Sequence, residues 1–232
     1  MGDDVEVLII DDHPVVGDGL VQLLQMEGIA AQPLVPDSPH HVLEVTRSSG
    51  ARLALLDLDL GWPHETGLDL IEPLRAEGVA TVVYSATRDR PLLARALEAG
   101  ALGAVTKRQG IDDLIDAVMR ARNGEAVNNL RERRDLADEL HQFRVRQRER
   151  LAPFQTLTAR EASVLQDLME GHPAEAIAKR SFVALSTVRS QIRAILSKLN
   201  VSSQLGAVAL AQQARWSAEG HAGEPPPAQR TG

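Results

Sequence analysis

The sequence predicts an α/β chain in which a doubly wound, five-stranded parallel sheet is followed by a connecting helix and a small all-α domain. Three observations predict it. Over residues 1–125, short β-rich apolar runs alternate with amphipathic stretches, the pattern of strands covered by helices on both faces. Between residues 157 and 216 only helical periodicity is left. The charge divides as well: residues 1–125 carry 10 Lys and Arg against 21 Asp and Glu, a net of −11, and residues 126–232 carry 15 against 11, a net of +4. An acidic front and a basic back suit a chain of which one part approaches an anionic polymer.

The strands are predicted at VEVLII (5–10), a weaker run at 29–35, RLALLD (52–57), VATVVY (79–84) and LGAVTK (102–107). Helical stretches such as GLVQLLQMEG, LDLIEPLRAEG, LLARALEAG and DDLIDAVMRARNG lie between and after them. Gly28, Gly78, Gly100 and Gly124 each stand where a helix closes on a C-terminal glycine. Residues 126–156 hold seven arginines, five acids and no glycine, with Leu136, Leu140, Phe143, Gln147 and Leu151 approximating a heptad stripe. A connecting helix that pairs with its copy fits that stripe, as does a solvated linker helix.

Beyond it, Thr158 and Glu161 of TARE form a capping box, and Gly171 ends the helix it opens. Helices over 173–180, 186–199 and 203–214 follow, and the tail from 217, with EGHAGEPPPAQRTG, reads as disordered. The resulting division is 4–124, a linker at 125–154, a helical domain at 155–216 and a tail at 217–232.

The chain has 232 residues, 44% of them hydrophobic, which is ample for a packed core. It has no cysteine, which excludes disulfides, thiol nucleophiles and thiolate metal sites. No run is long and apolar enough for a membrane span, and the acidic start Met1-Gly2-Asp3-Asp4 lacks the regions of a signal peptide. A cytoplasmic location is the expectation.

Four strand ends carry chemistry: Asp11 and Asp12 after the first strand, Asp57 after the third, Ser85 after the fourth and Lys107 after the fifth. A parallel sheet puts all four ends on one edge, where open sheets bind ligands. Three carboxylates converging there raise one another's pKa unless a cation is present. Oxygen donors suit Mg2+. Asp57 is then the candidate nucleophile for phosphoryl transfer, forming an acyl phosphate. Asp12, Asp57 and the backbone carbonyl of Asp59 hold the metal beside Asp11, Lys107 pairs with one phosphoryl oxygen, and the Ser85 hydroxyl bonds another.

This ordered set, with Ser85 in VVYSA and Lys107 in GALGAVTK, resembles the receiver domain of two-component response regulators, a flavodoxin-like fold. The resemblance implies a sensor histidine kinase as phosphodonor, Mg2+ as cofactor and Asp57 as phosphoacceptor. An enzyme competes, because Asp57-Leu58-Asp59 also resembles the D-x-D of haloacid dehalogenase-type phosphatases. Order separates the two: in that superfamily the D-x-D opens the domain and the acidic pair follows late, whereas here Asp11-Asp12 comes first. The expectation is therefore a protein that is not an enzyme. Two features depart from the receiver pattern. Ala104 stands where the family usually has a switching Tyr or Phe, and the loop GWPHETG after Asp59 is longer than the common form. His13, His40, His41 and His64 show no ligand spacing and are expected at the surface.

In the helix from Ser186, Val188, Ile192, Ile195, Leu196 and Leu199 recur at helical spacing and leave Arg189, Ser190 and Arg193 on the other side. Two arginines one turn apart suit the major groove, where Arg binds guanine O6 and N7. LTAREASVLQDLMEG, AEAIAKRS and STVRSQIRAILSKLNV resemble the LuxR/NarL-type (FixJ) helix-turn-helix. That resemblance puts Arg189, Ser190 and Arg193 at base-contacting positions and makes Thr187, Lys198 and Thr158 candidates for phosphate. Ala184 stands where the family often has a capping serine. So small a module on double-stranded DNA favours a homodimer on paired half-sites. The expected protein is a transcription regulator that is phosphorylated on Asp57; the alternative is a DNA-binding regulator of the same fold that needs no phosphate.

Overall fold

The computed structural model describes residues 5–218, which fall into two compact units, one ending at Gln142 and the other beginning at Phe143. The first is built on β1 (Val7–Ile10), β2 (Ala31–Leu34), β3 (Leu53–Leu56), β4 (Ala80–Ser85) and β5 (Gly103–Thr106). All neighbouring strands pair in parallel, in the order β2-β1-β3-β4-β5. The connections carry α1 (Pro14–Met26), α2 (Pro39–Ser49), α3 (Ile71–Ala76) and α4 (Arg90–Ala99), and α5 (Ile111–Arg122) follows β5. Each glycine expected to close a helix, Gly28, Gly78, Gly100 and Gly124, has positive φ.

The unbroken apolar strands have a direct cause. In β1, Leu8 and Ile10 enter one core with Ala54 and Leu56 of β3, while Val7 and Ile9 enter a second core on the opposite face with Leu53 and Leu55. A strand covered on both faces has no solvated side, so every position must be apolar. The first polar residue is admitted only where the strand ends, which places Asp11 and Asp57 together at the carboxyl edges of the adjacent β1 and β3. There the order reverses, from β2 on one side of β1 to β3 on the other, the kind of position at which open sheets bind ligands.

The second unit contains α7 (Ala159–Met169), α8 (Ala174–Arg180), α9 (Leu185–Lys198) and α10 (Gln204–Ala214) around one apolar core. Val188, Ile192 and Ile195 of α9 are buried in it. Phe154 and Trp216 bracket the helices in sequence and stack with ring centroids 5.3 Å apart, a pairing no periodicity announces. α7 opens on the expected capping box of Thr158 and Glu161. α9 starts on Ala184, whose side chain caps nothing.

Between these elements runs α6 (Leu130–Leu151), and here the compact units divide differently from the sequence-based limits. Leu136 and Leu140 are 5% and 1% exposed and belong to the core shared with Ala94 of α4, so this part of the stripe is already used within the chain. An amphipathic helix beside an apolar flank of α4 buries its stripe there, and the first unit accordingly extends to Gln142 rather than ending at 124. The tail also begins later than 217: Ala218 packs against the helical core, and its N–H donates to the Gln166 side chain at 3.3 Å. Residues 219–232, the rest of the expected tail, lie outside the described residues.

Candidate functional site

Asp11 and Asp57 are 3% and 5% exposed at the sheet edge. The Lys107 ammonium donates to both, at 2.5 Å to Asp11 Oδ2 and 2.5 Å to Asp57 Oδ2. Its position follows from the end of β5, where the Lys107 N–H donates to the Ser85 carbonyl at 2.9 Å. Two carboxylates this buried need a compensating cation, and the chain supplies one of its own. Burial works to lower the Lys107 pKa, but the hydrogen bonds and charges of Asp11 and Asp57 outweigh it and hold the ammonium above the usual lysine range. The same Nζ lies 5.8 Å from the centre of the Tyr84 ring.

The other oxygen of Asp57, Oδ1, accepts from the Asp59 N–H at 3.1 Å. Ser85 is 1% exposed, and its hydroxyl oxygen accepts from the Thr87 N–H at 3.4 Å. Gly67 explains how the loop after β3 returns: a Cβ there would sit 2.0 Å from the Asp57 carbonyl oxygen. Only glycine permits that approach.

Asp12, with 29% of its side chain exposed, turns toward His13, whose Nδ1 lies 2.7 Å from Asp12 Oδ1 and 3.3 Å from Asp11 Oδ1. The hydrogen bond and charge of Asp12, with a smaller contribution from Asp11, raise the imidazole pKa. Among the described residues, Asp11, Asp12 and His13 offer ligand atoms within 4.8 Å of one another. This differs from the expected metal set. Asp57 is engaged by Lys107 and by the Asp59 N–H instead of joining that cluster, the Asp59 side chain is exposed, and His13 stands beside the acids although no ligand spacing pointed to it. Its adjacency to Asp12 was the only available signal. The carboxylates of Asp11 and Asp12 are hard oxygen donors and fit a magnesium ion by donor chemistry.

On α9, Thr187, Arg189, Ser190 and Arg193 are exposed. Arg189 is not idle: its guanidinium lies 3.2 Å from Glu175 on α8. Lys198, expected to reach phosphate, instead donates to Glu161 at 2.6 Å. Glu161 also accepts from the Thr158 N–H at 2.7 Å, and the Thr158 hydroxyl accepts from the Glu161 N–H at 3.3 Å. Burial would raise the Glu161 pKa, but the bonds from Lys198 and Thr158 prevail and lower it. Two candidates for phosphate thus belong to one internal clamp that ties the start of α7 to the end of α9.

Comparison with known proteins places both units. Residues 7–119 match the response regulator receiver domain, and residues 155–211 match the bacterial regulatory proteins of the luxR family. The nitrate/nitrite response regulator protein NarP of Escherichia coli is 30% identical over 216 residues, spanning 90% of this chain and 95% of NarP. The probable transcriptional regulatory protein NarL of Mycobacterium tuberculosis is 30% identical over 214 residues, spanning 91% and 95%. In fold, the chain is similar to the response regulator RcsB solved as a DNA complex, with a TM-score of 0.50, 21% identity, and coverage of 90% and 98%. The chain belongs to the response regulators that join a receiver domain to a LuxR-type DNA-binding domain.

Proposed function

We propose that Asp57 is the phosphoacceptor of this response regulator and that a sensor histidine kinase is its donor. The observation that carries the reading is the Lys107 ammonium shared between Asp57 and Asp11 at the sheet edge. In the transfer, an Asp57 carboxylate oxygen attacks phosphorus and the bond from phosphorus to the donor imidazole nitrogen breaks. The electron pair leaves with the imidazole, which takes up a proton, and an acyl phosphate remains on Asp57. Lys107 exchanges a carboxylate for a phosphoryl oxygen, and the Ser85 hydroxyl donates to another. Asp11 and Asp12, joined by Asp57 and the Asp59 carbonyl, are the residues that would hold magnesium, which when bound neutralises phosphoryl charge.

The output is sequence-specific binding to double-stranded DNA by a homodimer in the cytoplasm, with α9 in the major groove. Arg193, exposed and without an ion-pair partner among the described residues, and Ser190 are free to meet base edges. Arg189 reaches a base only by leaving Glu175. Thr187 is the remaining exposed candidate for phosphate. A second reading, regulation without phosphate, is favoured by one observation: Ala104 takes the place of the family's usual aromatic on β5. The two are separated by incubating the chain and Asp57→Ala with acetyl phosphate and magnesium. Phosphoryl incorporation at residue 57, with tighter dimerisation and DNA binding only in the unsubstituted chain, is the expected result. Identical dimerisation and DNA affinity for both chains would remove phosphorylation from the mechanism.

A further inference from the structure

β5 is an edge strand, bonded to β4 on one side only. Its other side is not open. The Ala104 N–H donates to Asn128 Oδ1 at 2.7 Å, and Asn128 Nδ2 donates back to the Ala104 carbonyl at 3.0 Å, so the carboxamide takes the place that a neighbouring strand would fill. Two residues before Ala104, the Val127 N–H donates to the Leu102 carbonyl at 3.1 Å, and the Arg133 guanidinium reaches the same carbonyl at 3.1 Å. Gly103 makes the approach possible, since a Cβ there would lie 2.4 Å from Val127 Cβ.

The next residue turns this seam into a helix. The Asn129 N–H donates to Glu132 at 3.2 Å and the Glu132 N–H donates to Asn129 Oδ1 at 2.9 Å, a reciprocal cap that fixes the start of α6 one residue beyond Asn128. Farther along, α6 rests on α4 through Leu136 and Leu140 and through a two-pronged bond from the Arg90 Nε to Glu139 at 2.7 and 2.8 Å. Three residues beyond Ala104, just past the end of β5, stands Lys107, whose ammonium bridges Asp11 and Asp57.

We propose that Asn128 is a latch that couples the Asp57 site to the linker helix, the task for which this chain lacks an aromatic at Ala104. The proposal rests on the phosphoacceptor reading of Asp57. A phosphoryl group there draws Lys107 from its two carboxylates, and the end of β5 must adjust. On the β4 side the strand is held by a backbone ladder, and on the other side chiefly by one carboxamide and one backbone bond, so the latch yields first. Its release frees the start of α6, the segment of chain that leads to the DNA-binding unit.

Linkage makes the coupling measurable from both ends: if occupancy of the acceptor site loosens the latch, removing the latch must tighten binding at the acceptor site by the same factor. Beryllofluoride with magnesium is the probe. For full-length Asn128→Ala we expect affinity higher than that of the unsubstituted chain by about five- to thirty-fold, the range that the two carboxamide hydrogen bonds permit, and an intermediate gain for Asn128→Asp, which can still accept from the Ala104 N–H. A residue that merely supported the fold would leave the affinity unchanged or weaken it. In parallel, hydrogen exchange at the Ala104 amide and over residues 129–142 should accelerate when beryllofluoride binds the unsubstituted chain. Binding with equal affinity in all three proteins, or with unchanged protection at Ala104, would overturn the latch and leave the phosphoacceptor reading standing. A chain that binds no beryllofluoride and takes no phosphate from acetyl phosphate would overturn both.

Discussion

The pair formed by Lys198 and Glu161 separates a structural lysine from a DNA-contacting one, and removing either partner tests which it is. The contact is 2.6 Å long, with the side chains 33% and 10% exposed. It is neither a surface pair, which contributes about 0–1 kcal/mol, nor a fully buried one, whose disruption costs about 3–5 kcal/mol. A coupling of about 1–2 kcal/mol follows. Glu161→Gln removes the charge and keeps a capping side chain, so it should cost about that much; Glu161→Ala also removes the cap and should cost about 2–3 kcal/mol. For a domain of this size, each kcal/mol lowers the melting temperature by about 4–8 °C. The assay is thermal unfolding of the full chain, following the transition reported by Trp216, with Lys198→Met completing a double-mutant cycle. The ionisation has a definite sign. Glu161 is held below the ordinary carboxylate value of 4.5, so its contribution is present above that pH and disappears as the pH falls toward its lowered pKa. Glu161→Gln should flatten that acid limb. Coupling below about 0.5 kcal/mol, or a Lys198→Met protein of unchanged stability whose DNA affinity loses about 0.9 from its salt slope, would refute the clamp and make Lys198 a phosphate contact.

Lys107→Met leaves Asp11 and Asp57 buried without their cation, and the receiver unit should lose about 3–5 kcal/mol in chelator; millimolar magnesium should restore more stability to this variant than to the unsubstituted chain in denaturant titrations. Gly67→Ala drives a methyl into the Asp57 carbonyl, so it should cost at least about 3 kcal/mol and slow phosphorylation by acetyl phosphate, while Gly61→Ala near Asp12 strains the loop without that collision and should cost less. Arg193→Gln should weaken binding to the cognate DNA by about 1–3 kcal/mol and relax preference at one base pair, with little change on nonspecific DNA.

What the sequence determined by itself was whatever repeats or follows a local rule. Strands buried on both faces must be apolar throughout, so β1 and β3 were visible as runs and their acids as strand ends; helical spacing exposed the buried side of α9, and the TARE box announced the start of α7. Chemistry that depends on contact between distant segments was not legible. Asp11, Asp57 and Lys107 could be assigned to one edge, but only the folded chain decided that the lysine neutralises both acids, that Asp12 turns to His13, and that Lys198 spends its charge on Glu161. The stripe on α6 left open a seam between copies beside the solvated linker, because an amphipathic helix specifies that it has an apolar partner and not which one; the flank of α4 supplied that partner for Leu136 and Leu140. Asn128 carried no signal at all. A carboxamide can pair with any open backbone edge, and only the tertiary structure brings the edge of β5 to it.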